Sequence, residues 1–146
     1  WPSDFKTIAE QSDITFVMFD INGLKSTNDT WGHVIGDQLI QSAAKLITDT
    51  FQPVGTVYRI GGDEFVAILQ GASETTTAEL LQTFAERMQG QTIDHAIPVR
   101  IAYGAASTRE VDVTAANLLQ HADQRMYTRK KAMKQAEAAG IVGGHD

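Results

Sequence analysis

Ile14-Thr-Phe-Val-Met-Phe-Asp-Ile21 is a dense run of β-branched and aromatic residues with almost no polar interruption. At that length it predicts a buried strand, and Asn22-Gly23 ends it. From Val34 to Phe51 the apolar positions Ile35, Leu39, Ala43, Leu46 and Ile47 recur three and four apart, which predicts a helix with one buried stripe. Pro53 and Gly55 stop that helix. Thr56–Ile60 and Phe65–Leu69 are strand-like runs on either side of Gly61-Gly-Asp-Glu64, the pattern of a β-hairpin. A second helix is predicted over Thr75 to Met88, with Leu80, Leu81, Phe84 and Met88 inward and Ser73 or a following threonine as its cap. Ile97–Tyr103 reads as a further strand, with Pro98 at its start or on an edge. Ala115 to about Ala136 reads as the last helix, its stripe being Leu118, Leu119, Ala122 and Met126. Before the first strand, Phe5, Ile8 and Ala9 keep a short apolar rhythm, read as the end of a helix. Residues 22–37 read as a polar loop, and the tail 137–146 is expected to be loose.

The predicted order is β-α-β-β-α-β-α. Its first six elements match a ferredoxin-like split βαβ core, an α+β arrangement with an antiparallel sheet and helices on one face. The chain has 146 residues, enough for one domain with a real core and too few for two. Apolar residues are 42% and charged residues 21%, which excludes wholesale disorder. There is no cysteine, so disulfides, thiolate metal sites and cysteine nucleophiles are excluded, and a reducing compartment is suited. A net charge of −6 repels a nucleic-acid duplex, so no nucleic-acid partner is expected. No apolar run approaches the roughly eighteen residues of a membrane span. The first residues show no basic segment followed by an apolar one, so no signal peptide is expected.

Two acidic points carry the candidate chemistry. Asp20 ends the most hydrophobic strand, and Asp63 and Glu64 lie on the hairpin turn. In this element order the first strand pairs beside the hairpin, so Asp20 is expected to face Asp63 across neighbouring strands. Carboxylates gathered at a strand end need positive charge among them. Mg²⁺ fits, because it takes oxygen ligands and arrives with few protein carboxylates plus substrate phosphates. Two such ions about 4 Å apart would activate a hydroxyl and steady a phosphoryl transition state. The acids alone are read equally well as a loop cap at Asp20 and an unusual turn geometry at Asp63.

In the loop, Gly23, Gly32 and Gly36 let the backbone come close to a ligand, and Lys25 offers a point charge for phosphate. Asn28 and Asp37 suit a purine edge, since a carboxylate accepts the two donors that guanine presents and adenine lacks. Asp37 also suits the first turn of the following helix with no ligand at all. Lys130 and Lys134 share a face of the last helix; by themselves they read as a solvated basic helix end. His33, His95, His121 and His145 show no metal-ligand spacing.

Arg59-Ile-Gly-Gly-Asp-Glu-Phe65 resembles the motif that names the GGDEF domain of diguanylate cyclases. Phe19-Asp-Ile-Asn-Gly-Leu-Lys25, Asn28-Asp-Thr-Trp-Gly-His33 with Gly36-Asp37, and Ala122-Asp-Gln-Arg-Met-Tyr127 before Lys130 accompany it in family order and spacing. The resemblance covers about residues 14–135 of a single domain spanning 1–146. It implies a fold related to nucleotide cyclase catalytic domains and an enzyme that condenses two GTP into cyclic di-GMP, releasing pyrophosphate. The alternative is a regulatory GGDEF domain that binds GTP without turnover; intact Asp20, Lys25, Asp63 and Glu64 argue against it.

Carried over, the resemblance gives Asp20, the carbonyl of Ile21 and Asp63 to Mg²⁺ or Mn²⁺. It makes Asp63, Glu64 and Lys25 the catalytic groups, with Asp63 the better base. Gly23, Leu24, Lys25 and Lys130 would meet phosphates, His33 the sugar, and Asn28 and Asp37 the guanine. Lys134 stands within Met133-Lys-Gln135, where the family has Gly-Arg-Asn, so a point charge replaces a guanidinium fork. Trp31 stands where tyrosine or phenylalanine is usual and is read as packing. The inhibitory Arg-x-x-Asp site would fall on Gln52-Pro-Val-Gly55 and is absent. The family segment that precedes the first strand is missing at Trp1, so the chain is expected to be part of a larger signalling protein with a sensory or regulatory region. The resemblance also implies a working homodimer and a cytoplasmic location, with a membrane-anchored parent allowed.

Overall fold

The computed structural model describes residues 13–140. Its elements are β1 (Ile14–Ile21), α1 (Leu24–Trp31), α2 (His33–Phe51), β2 (Thr56–Arg59), β3 (Glu64–Gln70), α3 (Glu74–Met88), β4 (Thr92–Ile93), β5 (Ile97–Pro98), β6 (Ile101–Ser107) and α4 (Leu118–Ala138). The main sheet has the order β2-β3-β1-β6, and every neighbouring pair is antiparallel. β1 and β2 therefore run parallel with β3 between them, which is the split βαβ pattern expected from the element order.

All eight residues of β1 are buried because it is a central strand with helices on both faces. Val17, Phe19 and Ile21 point toward α2 and α3, where Phe19 meets Phe51 and Phe84 at ring distances of 5.3 and 5.2 Å. Ile14, Phe16 and Met18 point the other way, toward Leu118, Ala122 and Met126 of α4. The first six elements do keep their two long helices on one face; the seventh covers the other. Each aromatic pair adds roughly 0.5–1.5 kcal/mol beyond its area burial.

Gly104 lies at the centre of β6. A Cβ there would collide with the backbone of Met126 and Ala122, so glycine is what lets α4 rest directly on the strand. Arg125 and Arg129, four apart on α4, donate to the Ala105 and Tyr103 carbonyls at 2.7 and 3.0 Å. β6 is an edge strand, and these guanidiniums occupy carbonyls that would otherwise invite another strand. Glu110 holds the Arg125 fork through both oxygens, and this bond pulls the Glu110 carboxyl below its ordinary range.

The structure departs from the sequence reading in three places. Residues 24–31 form a helix rather than a loop, entered through left-handed Gly23 (φ 76°) and left through Gly32 (φ 89°). Only Thr27 is buried on α1, so it carries no apolar stripe to betray it. The strand expected over 97–103 is two: β5 pairs with β4 in a small separate hairpin, and β6 runs on to Ser107. Pro98 does sit in that outlying pair, where a missing N–H is tolerated. The last helix starts at Leu118, three residues late. Ser73 caps α3 as expected, accepting from the Thr76 N–H at 3.0 Å. The expected helix end around Phe5, Ile8 and Ala9, and the end of the tail beyond Gly140, lie outside the described residues.

Candidate active site

β1 delivers Asp20 to its C-terminal end, and the β2–β3 turn delivers Asp63 and Glu64. The register pairs Asp20 with Glu64, not with Asp63 as expected. Glu64 is already the first residue of β3, and Asp63 sits one step into the turn, where its carbonyl accepts the Ile21 N–H at 2.9 Å. Paired residues of antiparallel strands share a face, so Asp20 and Glu64 both look toward α4. Arg59 laces the turn, donating to the Gly61 and Gly62 carbonyls at 3.0 and 2.7 Å. Asp63 does not have a left-handed backbone, so a left-handed turn position is not the reason for an acid there.

Lys130 reaches across from α4, and its ammonium lies 3.0 Å from Asp20 Oδ2. The other oxygen, Oδ1, is buried with no hydrogen-bond partner. Burial pushes the Asp20 carboxyl up, the bond to Lys130 opposes this, and Asp63 adds to the rise. Lys134 also acts on it favourably. Glu64 is pushed up as well, first by burial and then by Asp20, Asp63 and Asp123. Four acids (Asp20, Asp63, Glu64 and Asp123) and two lysines therefore share one corner. Asp123 and Asn22 belong to this corner although the sequence reading did not single them out. Asn22 is buried beneath α4, its amide donating to Met133 Sδ at 3.6 Å while its Oδ1 has no partner. Its place at a strand break gave no signal of that.

Among the described residues no cluster of three His, Cys, Asp or Glu side chains is poised to hold a metal. An orphaned, buried carboxylate oxygen beside two further acids is nevertheless a donor set for a hard cation that brings phosphate oxygens as its other ligands. Magnesium fits these residues.

The remaining residues of the resemblance stand on α1 and α2, which follow β1 in the chain and pack on each other. Lys25 projects into solvent from α1 and pairs with Asp29 at 2.8 Å, which raises its pKa. Leu24 opens α1 directly after Gly23. Asn28 lies against Gly36; a Cβ at Gly36 would collide with the Asn28 amide, so the glycine lets the two helices meet. Asp37 follows Gly36 and is exposed beside that contact. α2 starts at His33, so Asp37 is its fifth residue and lies beyond the first turn; the helix dipole does not account for it. His33 is exposed at the helix start. Trp31 packs as expected, stacked on His95 at 4.0 Å, yet it remains 46% exposed. At positions 52–55, where the resemblance would place an inhibitory site, Gln52 accepts the Val57 N–H, and a side chain at Gly55 would strike Leu69 and the Ile68 carbonyl. That turn is shaped by packing.

An α+β domain whose antiparallel sheet gathers acids at the end of its central strand has the architecture of the nucleotide cyclase catalytic domains. The sequence matches the family described as diguanylate cyclase, GGDEF domain, over residues 4–136, and the chain belongs to that family. It is 31% identical over 128 residues to the probable diguanylate cyclase DgcT of Escherichia coli K12, covering 84% of this chain and 28% of that protein. It is 35% identical over 130 residues to the probable diguanylate cyclase DgcI of the same organism, covering 88% and 28%. In fold it is similar to the active GGEEF domain of a diguanylate cyclase from Vibrio cholerae, with a TM-score of 0.76 at 24% identity over 89% of this chain and 87% of that one. The chain thus spans little more than a quarter of the length of these two relatives. No helix among the described residues is long and apolar enough to cross a membrane.

Proposed function

We propose that this domain is catalytically competent and joins two GTP into cyclic di-GMP, with Mg²⁺ or Mn²⁺ held by Asp20, Asp63 and the Ile21 carbonyl. The observation that carries this reading is the corner itself, where a buried Asp20 with one unpartnered oxygen meets Asp63, Glu64 and Lys130. A bound Mg²⁺ would lower the charge that builds on the phosphate and the attacking oxygen. Asp63, or failing it Glu64, takes the proton from a 3′-hydroxyl. The freed oxygen bonds to the α-phosphorus of the other nucleotide, and the bond to pyrophosphate breaks. Lys130 and Lys134 steady the phosphates from α4, and Lys25 and the Gly23–Leu24 backbone do so from the start of α1. Asn28 and Asp37 read guanine, while His33 lies by the sugar.

One domain holds one nucleotide, so two copies must face each other, and each 3′-oxygen attacks the partner's α-phosphate. Relatives several times longer than this chain support its being the output domain of a larger signalling protein; a cytoplasmic location, where GTP is held, is part of the same proposal. The test is incubation of the purified chain with GTP and Mg²⁺, followed by chromatography. Cyclic di-GMP with two equivalents of pyrophosphate is the expected result. Guanosine triphosphate binding without product would instead support a regulatory domain.

A further inference from the structure

β4 and β5 form a small hairpin apart from the main sheet, closed by Asp94, His95 and Ala96. His95 (φ 64°) and Ala96 (φ 55°) are both left-handed, two successive non-glycine residues in a conformation that asparagine or glycine takes more easily. Such backbone persists only where its surroundings over-determine it. Two contacts do so. The His95 imidazole lies flat on the Trp31 indole, with ring centres 4.0 Å apart and planes 12° from parallel. Gln38 donates to Asp94 Oδ2 at 3.1 Å.

Both contacts land on the corner between α1 and α2. Trp31 is the last residue of α1, one turn beyond Asn28. Gln38 follows Asp37 on α2. Between them Gly32, at φ 89° and ψ 169°, supplies no side chain to fix the angle between the helices. Burial does not explain the stack either, since Trp31 stays half exposed. A glycine at position 95 would ease the hairpin; the histidine contributes its ring. We propose that Trp31 and His95, backed by Gln38 and Asp94, are positioning residues that brace the α1–α2 corner and hold Asn28 and Asp37 in register to discriminate guanine from adenine. The proposal rests on the guanine reading of those two residues. Two-donor recognition is selective only when both acceptors are placed in advance.

The test uses the full chain carrying Trp1→Phe, so that Trp31 alone emits. Its ligands are 3′-deoxyGTP and 3′-deoxyATP with Mg²⁺, which bind without an attacking hydroxyl. His95→Gly accepts the left-handed backbone and removes only the ring. It is expected to shift Trp31 emission, leave the thermal midpoint nearly unchanged and weaken 3′-deoxyGTP binding about three- to tenfold, the factor an aromatic contact of ordinary strength gives. Affinity for 3′-deoxyATP should barely move, so base preference narrows. Gln38→Ala, which leaves backbone and rings alone, should narrow it in the same direction. Trp31→Phe, which keeps an aromatic ring against His95, should retain most of the wild-type preference by calorimetry. A lost stack with unchanged preference in His95→Gly overturns the proposal. A wild-type chain with no preference for the guanine nucleotide overturns the base reading itself, and the proposal with it.

Discussion

Asp20 gives one oxygen to Lys130 and keeps the other buried without a partner. An unsatisfied buried acceptor of this kind costs roughly 1–3 kcal/mol. A cation would remove the cost, so Mg²⁺ at a hundredfold excess over its Kd should stabilise the wild type by about 2.7 kcal/mol. Asp20→Asn should hold or raise the midpoint without metal and lose the magnesium response in differential scanning calorimetry. An equal response in both chains would remove Asp20 from the metal. Asp63 makes a sharper case, because its backbone carbonyl is tied to Ile21 while its side chain is free to work. Asp63→Asn keeps the shape and deletes the charge. Turnover is expected to fall about a thousandfold, the scale of a lost general base with an intact site. Near-normal product from a folded Asp63→Asn chain would contradict both its metal and its base roles.

β6 and α4 are joined more closely than any pattern of apolar residues announces. The reading of the last strand stops at Tyr103, because Gly104-Ala-Ala-Ser107 lacks the β-branched and aromatic residues that mark strands. Those small residues are there for the helix that lies on them. Gly104→Ala should therefore cost about 3 kcal/mol or more through overpacking against helix backbone, and it should displace the element that carries Lys130. A wild-type urea midpoint would show that α4 stands farther from the strand. Arg125→Ala tests the clamp on the edge. The pair is partly solvated, so the expected loss at neutral pH is only about 1 kcal/mol. Glu110 has its pKa lowered by that arginine, from an ordinary value of 4.5. A lowered acid contributes stability above its unfolded value, and the contribution disappears as pH falls through the folded one. The gap between wild type and Arg125→Ala should thus be full at pH 7 and close below pH 4.5. A constant gap would assign the whole effect to the Ala105 carbonyl.

For the whole molecule, the acids and lysines stand at one end of the sheet, in a corner built by β1, the β2–β3 turn and α4, beside the α1–α2 helix pair. That corner offers one nucleotide's worth of groups, and the proposed reaction needs two nucleotides face to face. Specific activity is therefore expected to rise with protein concentration until dimers dominate, as mass action requires. Activity measured from nanomolar to micromolar chain, beside sedimentation of the same samples, would show it. A flat profile with monomers throughout would contradict the two-copy mechanism.

The element order, the buried first strand and the hairpin were legible in the sequence because strand and helix periods are local and the turn residues punctuate them. The site blocks were legible for a different reason: their types and spacing resemble one family along most of the chain. Three things needed the third dimension. The α1 helix has no apolar stripe, so only its packing defines it. The pairing of Asp20 with Glu64 depends on strand register, and a one-residue slip in register moves every side chain to the opposite face. The meeting of Lys130 with Asp20, 110 positions apart, follows from Gly104 letting α4 settle on β6. Sequence determined which groups were present; close packing of helix on strand decided which of them share a charge.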